Sequence, residues 1–138
     1  MILATRRYGF PAAHVLRHPL LSAEENGRIY GRCANENGHG HDYGVEVTVA
    51  GPIDSLTGWI VDPRVLDVLF EEHIGSRLSH SMLNEDPWFR DLVPTAENIA
   101  AAIHRELDRA VAAKTTAHVV TVRIIETRKN SFIFGELQ

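Results

Sequence analysis

Along residues 2–12 the apolar positions fall on every second residue. Ile2, Ala4, Tyr8, Phe10 and Ala12 share one face, interrupted by Arg6. Alternation of this kind predicts a half-buried strand. The same period returns at about 41–50, where Tyr43, Val45, Val47 and Val49 face one way and Asp42, Glu46 and Thr48 the other. Between them, residues 15–38 lose periodicity and collect Pro19, Glu24, Glu25, Asn26, Gly27, Gly31, Asn35, Asn37 and Gly38. A structureless stretch that long inside a compact domain is uncommon and usually functional.

Asp54 to Gly58 reads as a hairpin turn into a third strand, Trp59-Ile60-Val61. Asp62-Pro63 then starts a helix, because the aspartate caps free amides and proline suits the first helical position. That helix runs to about Arg77, with Leu66, Leu69, Phe70, Ile74 and Leu78 at helical spacing. A second start is Pro94-Thr95, with Thr95 as cap and Glu97 complementing the helix dipole in the first turn. Ile99, Ile103, Leu107 and Val111 carry this stripe to about residue 113. Two strands close the chain, at about 118–127 and 131–136. The order β-loop-β-β-α-α-β-β predicts an α+β fold, an antiparallel sheet with helices on one face. Its sheet edges need covering, and oligomerisation is one way to do it.

Composition narrows the function. The 138 residues carry 14 Lys+Arg against 18 Asp+Glu, a net charge of −4, so no basic face exists to neutralise nucleic-acid phosphates. At 44% hydrophobic and 23% charged the chain reads as an ordinary globular protein, and no repeat or linker divides it, so one domain over 1–138 is expected. No apolar run is long enough for a membrane span. The N-terminus lacks the order of a secretion signal, and the single cysteine, Cys33, excludes an intrachain disulfide. A cytoplasmic, reducing location is the expectation.

Against this background the placement of the histidines stands out. His39-Gly40-His41 sets two imidazoles at i and i+2, on one side of a strand that begins there. They share parity with Tyr43, Val45 and Val47. His14 lies two residues past Ala12, at the end of the first strand. If the first two strands pair antiparallel, three imidazoles converge and leave a fourth position for substrate, the pattern of catalytic zinc. The alternative is a turn bearing solvated histidines.

Other chemistry-bearing residues carry two readings each. Cys33, six residues before His39, is either an inert buried thiol or, beside a dication, a base or nucleophile. Glu36 is a second proton-transfer group or a solvated loop glutamate. His80, just past the first helix, gains from the helix dipole, or acts in catalysis if a carboxylate fixes its tautomer. Glu126 ends the apolar row Val120, Val122, Ile124, which is odd unless the acid meets a ligand or partner at the sheet end. There it could accept two hydrogen bonds from the N–H edge of a guanine or pterin ring, or pair with Arg128.

As a set, these residues resemble the 6-pyruvoyl-tetrahydropterin synthase / 6-carboxy-tetrahydropterin synthase family. The resemblance spans nearly the whole chain. It rests on Ala12-Ala13-His14, Cys33 followed by Gly38-His39-Gly40-His41-Asp42-Tyr43, and the stretch from Asp54 through Asp62. It continues with Leu78-Ser79-His80, Leu83-Asn84, Pro94-Thr95-Ala96-Glu97-Asn98 and Glu126-Thr127. It implies a tunnelling fold: an antiparallel four-stranded sheet with two helices on one side, assembled into a barrel. The oligomer implied is a homohexamer, a dimer of trimers, with active sites at interfaces. It implies Zn2+ on His14, His39 and His41, a pterin anchored by Glu126 with Thr127 and Thr95 contributing, and acid–base work by Cys33 and His80. The substrate implied is 7,8-dihydroneopterin triphosphate.

Trp59-Ile60-Val61-Asp62 is closest to the carboxy-forming enzymes of the 7-deazapurine (queuosine) route, making a lyase that gives 6-carboxy-5,6,7,8-tetrahydropterin the leading expectation. The Cys33–His39 spacing resembles instead the pyruvoyl-forming type. Cys33-x-x-Glu36 resembles enzymes that cleave the side chain to 6-hydroxymethyl-dihydropterin. One departure is Ser79, where the family has an aspartate that orients the histidine. It leaves open a homologue that binds pterin and zinc but has lost or redirected catalysis, unless Glu36, Glu85 or Asp86 replaces the missing acid.

Overall fold

A computed structural model describes residues 1–137. The predicted first two strands are β1 (Leu3–His14) and β2 (His39–Ala50), paired antiparallel from Leu3 opposite Ala50 to His14 opposite His39. Their valine-rich inner row is nearly sealed from solvent: Val45, Val47 and Val49 are at most 1% exposed. The helices α2 (Pro63–Phe70), α3 (Ser76–Leu78) and α4 (Ala96–Lys114) follow. The closing strands are β4 (His118–Ile125) and β5 (Ser131–Gly135).

Both predicted helix starts are present. Asp62 caps α2 by accepting from the Arg64 amide, with Pro63 in the first turn, and Thr95 caps α4 through the Asn98 amide. A π-helical segment, Glu71–Gly75, joins α2 to α3. Steps of four drift forward around an α-helix, and this wider turn corrects the drift. Ile74 and Leu78 therefore remain fully buried beneath Phe70. Arg6, which breaks the alternation of β1, makes a two-pronged contact with Asp67 of α2, whose carboxylate also accepts from the Tyr8 hydroxyl.

Three expectations are corrected. Trp59-Ile60-Val61 is no strand. Asp54 does shape the predicted turn by accepting from the Leu56 and Thr57 amides, but β2 already has β1 on one side and β4 on the other. Ile60 and Val61 pack against the core without a ladder to join. Second, residues 15–38 are not structureless: they hold α1 (Ala23–Tyr30) and a 3-10 turn, Gly31–Ala34. Ser22 and Glu25 form a reciprocal capping box at the start of α1. Buried Asn26 bonds the backbone of His18 and Leu21.

Third, the sheet has five strands: counting the short β3 (Ser81–Met82), the order is β3-β1-β2-β4-β5. The four long strands are antiparallel as expected, but β3 (Ser81–Met82) adds a short parallel pairing to Ala12 and Ala13. No helix among the described residues is long and apolar enough to cross a membrane.

The helix layer rests on residues such as Ile103, which is fully buried against the sheet. Ile103→Ala should cost about 2–5 kcal/mol, the range for a truncated core side chain. Urea unfolding with an unchanged slope checks this; a loss below about 1 kcal/mol would mean that α4 is not held by this face.

Candidate metal centre

The register of β1 and β2 builds the site. His14 lies directly across from His39, and His41 across from Ala12. Strand alternation keeps all three imidazoles on the face that bears Phe10, Tyr43 and Val45. Ring centroids are 4.5 Å apart for His14–His39, 5.1 Å for His14–His41 and 5.0 Å for His39–His41. One nitrogen from each falls within 4.8 Å of the others.

His14 is fully buried at the end of β1. Its Nδ1 is 2.7 Å from the Pro94 carbonyl. A carbonyl only accepts, so Nδ1 carries the hydrogen and Nε2 presents its lone pair toward His39 Nε2, 2.9 Å away. This is the arrangement in which a metal-ligating histidine is oriented by its other ring nitrogen. Pro94 is itself held from α4, since the Asn98 side chain donates to the Val93 carbonyl.

Burial pushes His14 down to about 4 despite the Pro94 carbonyl, with His39 and His41 adding to the shift. Burial and then His41 lower His39, opposed by Glu126. Neutral imidazoles are what a cation requires. His41 Nε2 is buried and has no hydrogen-bond partner. Three nitrogens, one of them orphaned, fit a borderline divalent cation such as zinc with one position left open.

The other expected site residues are placed unevenly. The Cys33 carbonyl accepts from the Leu16 amide, which ties the cysteine's turn to the chain just past His14. Glu36 is exposed on the same loop. Glu126 follows β4, close enough for its charge to act on His39 and Tyr43. Thr127 shapes the β4–β5 turn, its hydroxyl accepting from Lys129 and Asn130 amides. Thr95 stands beside Pro94 as the α4 cap.

His80 lies elsewhere. It is exposed, its φ of 58° lies in the left-handed region, and its amide donates to the Pro11 carbonyl. It lines an open cleft of about 560 Å³ with Pro11, Gly40, Asp42, Ser81 and Met82. By strand alternation Pro11, Ala13 and Asp42 face away from the triad, so the cleft opens mainly on the other side of the sheet, with Ala12 and His41 at its border. Asp86 does not replace the aspartate missing at Ser79: both its oxygens bond Arg77, and it caps the Trp88 amide.

Sequence reasoning missed two members of the centre. The Pro94 carbonyl is visible in sequence only as part of a helix start. Tyr43 has the same parity as His39 and His41 and reads as a core residue, yet its hydroxyl reaches His14.

The family model described as 6-pyruvoyl tetrahydropterin synthase matches residues 4–136. A 6-pyruvoyl tetrahydrobiopterin synthase of Poecilia reticulata is 42% identical over 131 residues, covering 94% of this chain and 87% of that protein. The Homo sapiens protein of the same name is 39% identical over 131 residues, covering 94% and 88%. The solved Caenorhabditis elegans 6-pyruvoyl tetrahydropterin synthase superposes with a TM-score of 0.90 at 31% identity, covering 99% of this chain and 96% of that one.

The lowered His14 makes stability depend on pH. Its folded form stays neutral down to about 4, whereas the unfolded imidazole takes a proton near 6.5. The unfolded state therefore binds more protons between these values, and metal-free protein should lose on the order of 3 kcal/mol from this group as pH falls from about 6.5 to about 4. Urea midpoints at several pH values should show a flatter slope for His14→Gln. Equal slopes for the two proteins would reject the assignment.

Proposed function

This chain belongs to the 6-pyruvoyl tetrahydropterin synthase family, and on that premise we propose that it is a zinc-dependent lyase. It converts 7,8-dihydroneopterin triphosphate to 6-pyruvoyl-tetrahydropterin with loss of triphosphate. The observation that carries the reading is the convergence of buried His14 with the partly buried His39 and His41, with the His14 tautomer fixed by Pro94 and an orphaned nitrogen on His41. The names of the relatives favour the pyruvoyl product over the carboxy product suggested by Trp59 to Asp62. The conversion balances without an external oxidant. Triphosphate leaves, the side-chain hydroxyl carbons become carbonyls, and the ring passes from dihydro to tetrahydro.

Zinc, when bound, would polarise the side-chain hydroxyls and acidify the adjacent C–H bonds. His14, His39 and His41 would hold it through the three ring nitrogens that converge there. Glu126 accepts two N–H bonds from the pterin edge, fixing the ring relative to the triad, with Thr127 and Thr95 beside it. Cys33 moves protons at the side-chain carbons, and Glu36 stands on the same loop as a second proton carrier.

His80 serves the active site of a neighbouring copy. This is supported by its cleft on the far face of the sheet and by the sheet edges at β5 and β3 that assembly would cover. The assembly is a homohexamer in which residues 1–138 of each copy form one domain.

Product analysis by mass spectrometry tests the reading. Zinc-loaded protein should give 6-pyruvoyl-tetrahydropterin; a carboxy- or hydroxymethyl-pterin would replace the proposed reaction, and unaltered substrate would reject catalysis. Cys33→Ala should abolish turnover with zinc still bound, and a fully active variant would remove Cys33 from the mechanism. Ser79→Asp should raise turnover, because an orienting carboxylate beside a catalytic histidine is worth orders of magnitude in rate.

A further inference from the structure

The ion pairs among the described residues sort the basic side chains by place. Arg6, Arg7, Arg64, Arg77, Arg109 and Arg123 each meet a carboxylate, and all of them stand on strands or helices of the scaffold. On the stretch between β1 and β2, Arg17 and Arg32 are exposed and pair with no acid. This is so although Glu24, Glu25 and Glu36 lie on the same stretch.

A free arginine on a surface is ordinarily just solvated, and what distinguishes these two is the backbone beneath them. The Leu16 amide donates to the Cys33 carbonyl at 2.8 Å, so Arg17 and Arg32 are each one residue from the same bond. The Asn35 amide returns to the Arg32 carbonyl and closes a turn there. On the other side of Arg17, the His18 amide donates to the Asn26 side chain, which donates back to the His18 carbonyl. Asn26 is only 2% exposed, so a buried polar group is committed to holding the residue next to Arg17. Cations on a fixed backbone lose less freedom when they take up an anion than cations on a loose loop. Arg28 is also unpaired, but it lies two residues from Asn26 and so on nearly the opposite face of α1.

Their position suggests the ligand. Glu126 follows β4, the triad lies on the neighbouring β2 and β1, and Arg17 and Arg32 stand where the chain continues past His14. The substrate proposed above has the same order of parts: a pterin ring, a hydroxylated side chain and a triphosphate. The net charge of −4 opposes such an anion at long range, so local cations are needed where it docks.

We propose that Arg17 and Arg32 form a polyphosphate-binding edge beside the metal centre, which selects the phosphorylated pterin over the free one. The proposal rests on the pterin-binding reading given above. Guanidinium groups suit this task, because their planar fork bonds two phosphate oxygens at once and keeps its charge.

The test is a fluorescence titration of zinc-loaded protein with two fully oxidised pterins, neopterin triphosphate and neopterin. Wild type should hold the triphosphate at least about tenfold more tightly, the size of one hydrogen bond between charged groups. Arg17→Gln and Arg32→Gln should each lose part of this preference and the double variant all of it, with neopterin affinity unchanged. Arg28→Gln should keep it; an equal loss there would mean a general effect of loop charge and overturns the pair. A double variant that retains the preference overturns the proposal and assigns the phosphates to the metal instead. Equal affinity of wild type for both ligands also overturns it, with the pterin reading left standing. Failure of wild type to bind either ligand would reject the pterin reading itself and the edge with it, a result distinct from a lost preference.

Discussion

The candidate site depends on the register of one antiparallel pair. From Leu3 opposite Ala50 to His14 opposite His39, β1 and β2 run without interruption. A slip of one residue would turn every side chain on one of them to the other face. His14 would then leave the triad, and Phe10 and Ala12 would leave the core with it. The valine row of β2 and the apolar row of β1 thus fix the geometry of the histidines, since burying one set in the right order buries the other. The single irregularity between β2 and β4 lies between Thr48 and Val49, well away from the histidines.

Placing three imidazoles at the end of an apolar core has a cost, which the structure meets by disfavouring the charged form of His14 and His39 and bonding what can be bonded. Pro94 is suited to this because it precedes the Thr95 cap, so its carbonyl lies outside the hydrogen bonds of α4. Helix start and metal ligand are thereby joined. The bond between His14 and Pro94 brings the first strand and the last helix together 80 residues apart in the chain. The nitrogen left over, on His41, is the part of the cluster that protein groups do not satisfy.

Much of this was legible in the sequence because it follows from short-period patterns. Alternation gave both long strands, the i, i+2 spacing gave the His39–His41 pair, and Asp62-Pro63 and Pro94-Thr95 marked both helix starts. The capping box Ser22–Glu25 was equally legible, but the glycines and asparagines around it obscured an eight-residue helix. Trp59-Ile60-Val61 had the composition of a strand and failed for a reason that no local pattern holds, the absence of a free neighbour on β2. The face on which His80 lies was hidden for a similar cause: β3 pairs with β1 across some 70 residues of chain. Tyr43 and the Pro94 carbonyl enter the centre through tertiary contacts with His14, and composition gives no sign of a backbone carbonyl's role.

The two faces of the sheet do different work, and the polar one explains where His80 goes. Opposite the core, Glu46 is held between Arg7 and Arg123 across three strands, and Thr5 bonds Thr48. A face of paired charges and hydroxyls cannot bury itself under a helix, because each desolvated group would need a replacement partner. It stays available to water or to another polar surface. His80 opens onto this face, at the end where Gly40 leaves the strand bare, and its left-handed backbone is held there by the bond to Pro11. A strained histidine directed away from its own chain's metal centre is difficult to explain by local stability alone. Under the function proposed above, that edge is free to complete the pocket of a neighbouring copy.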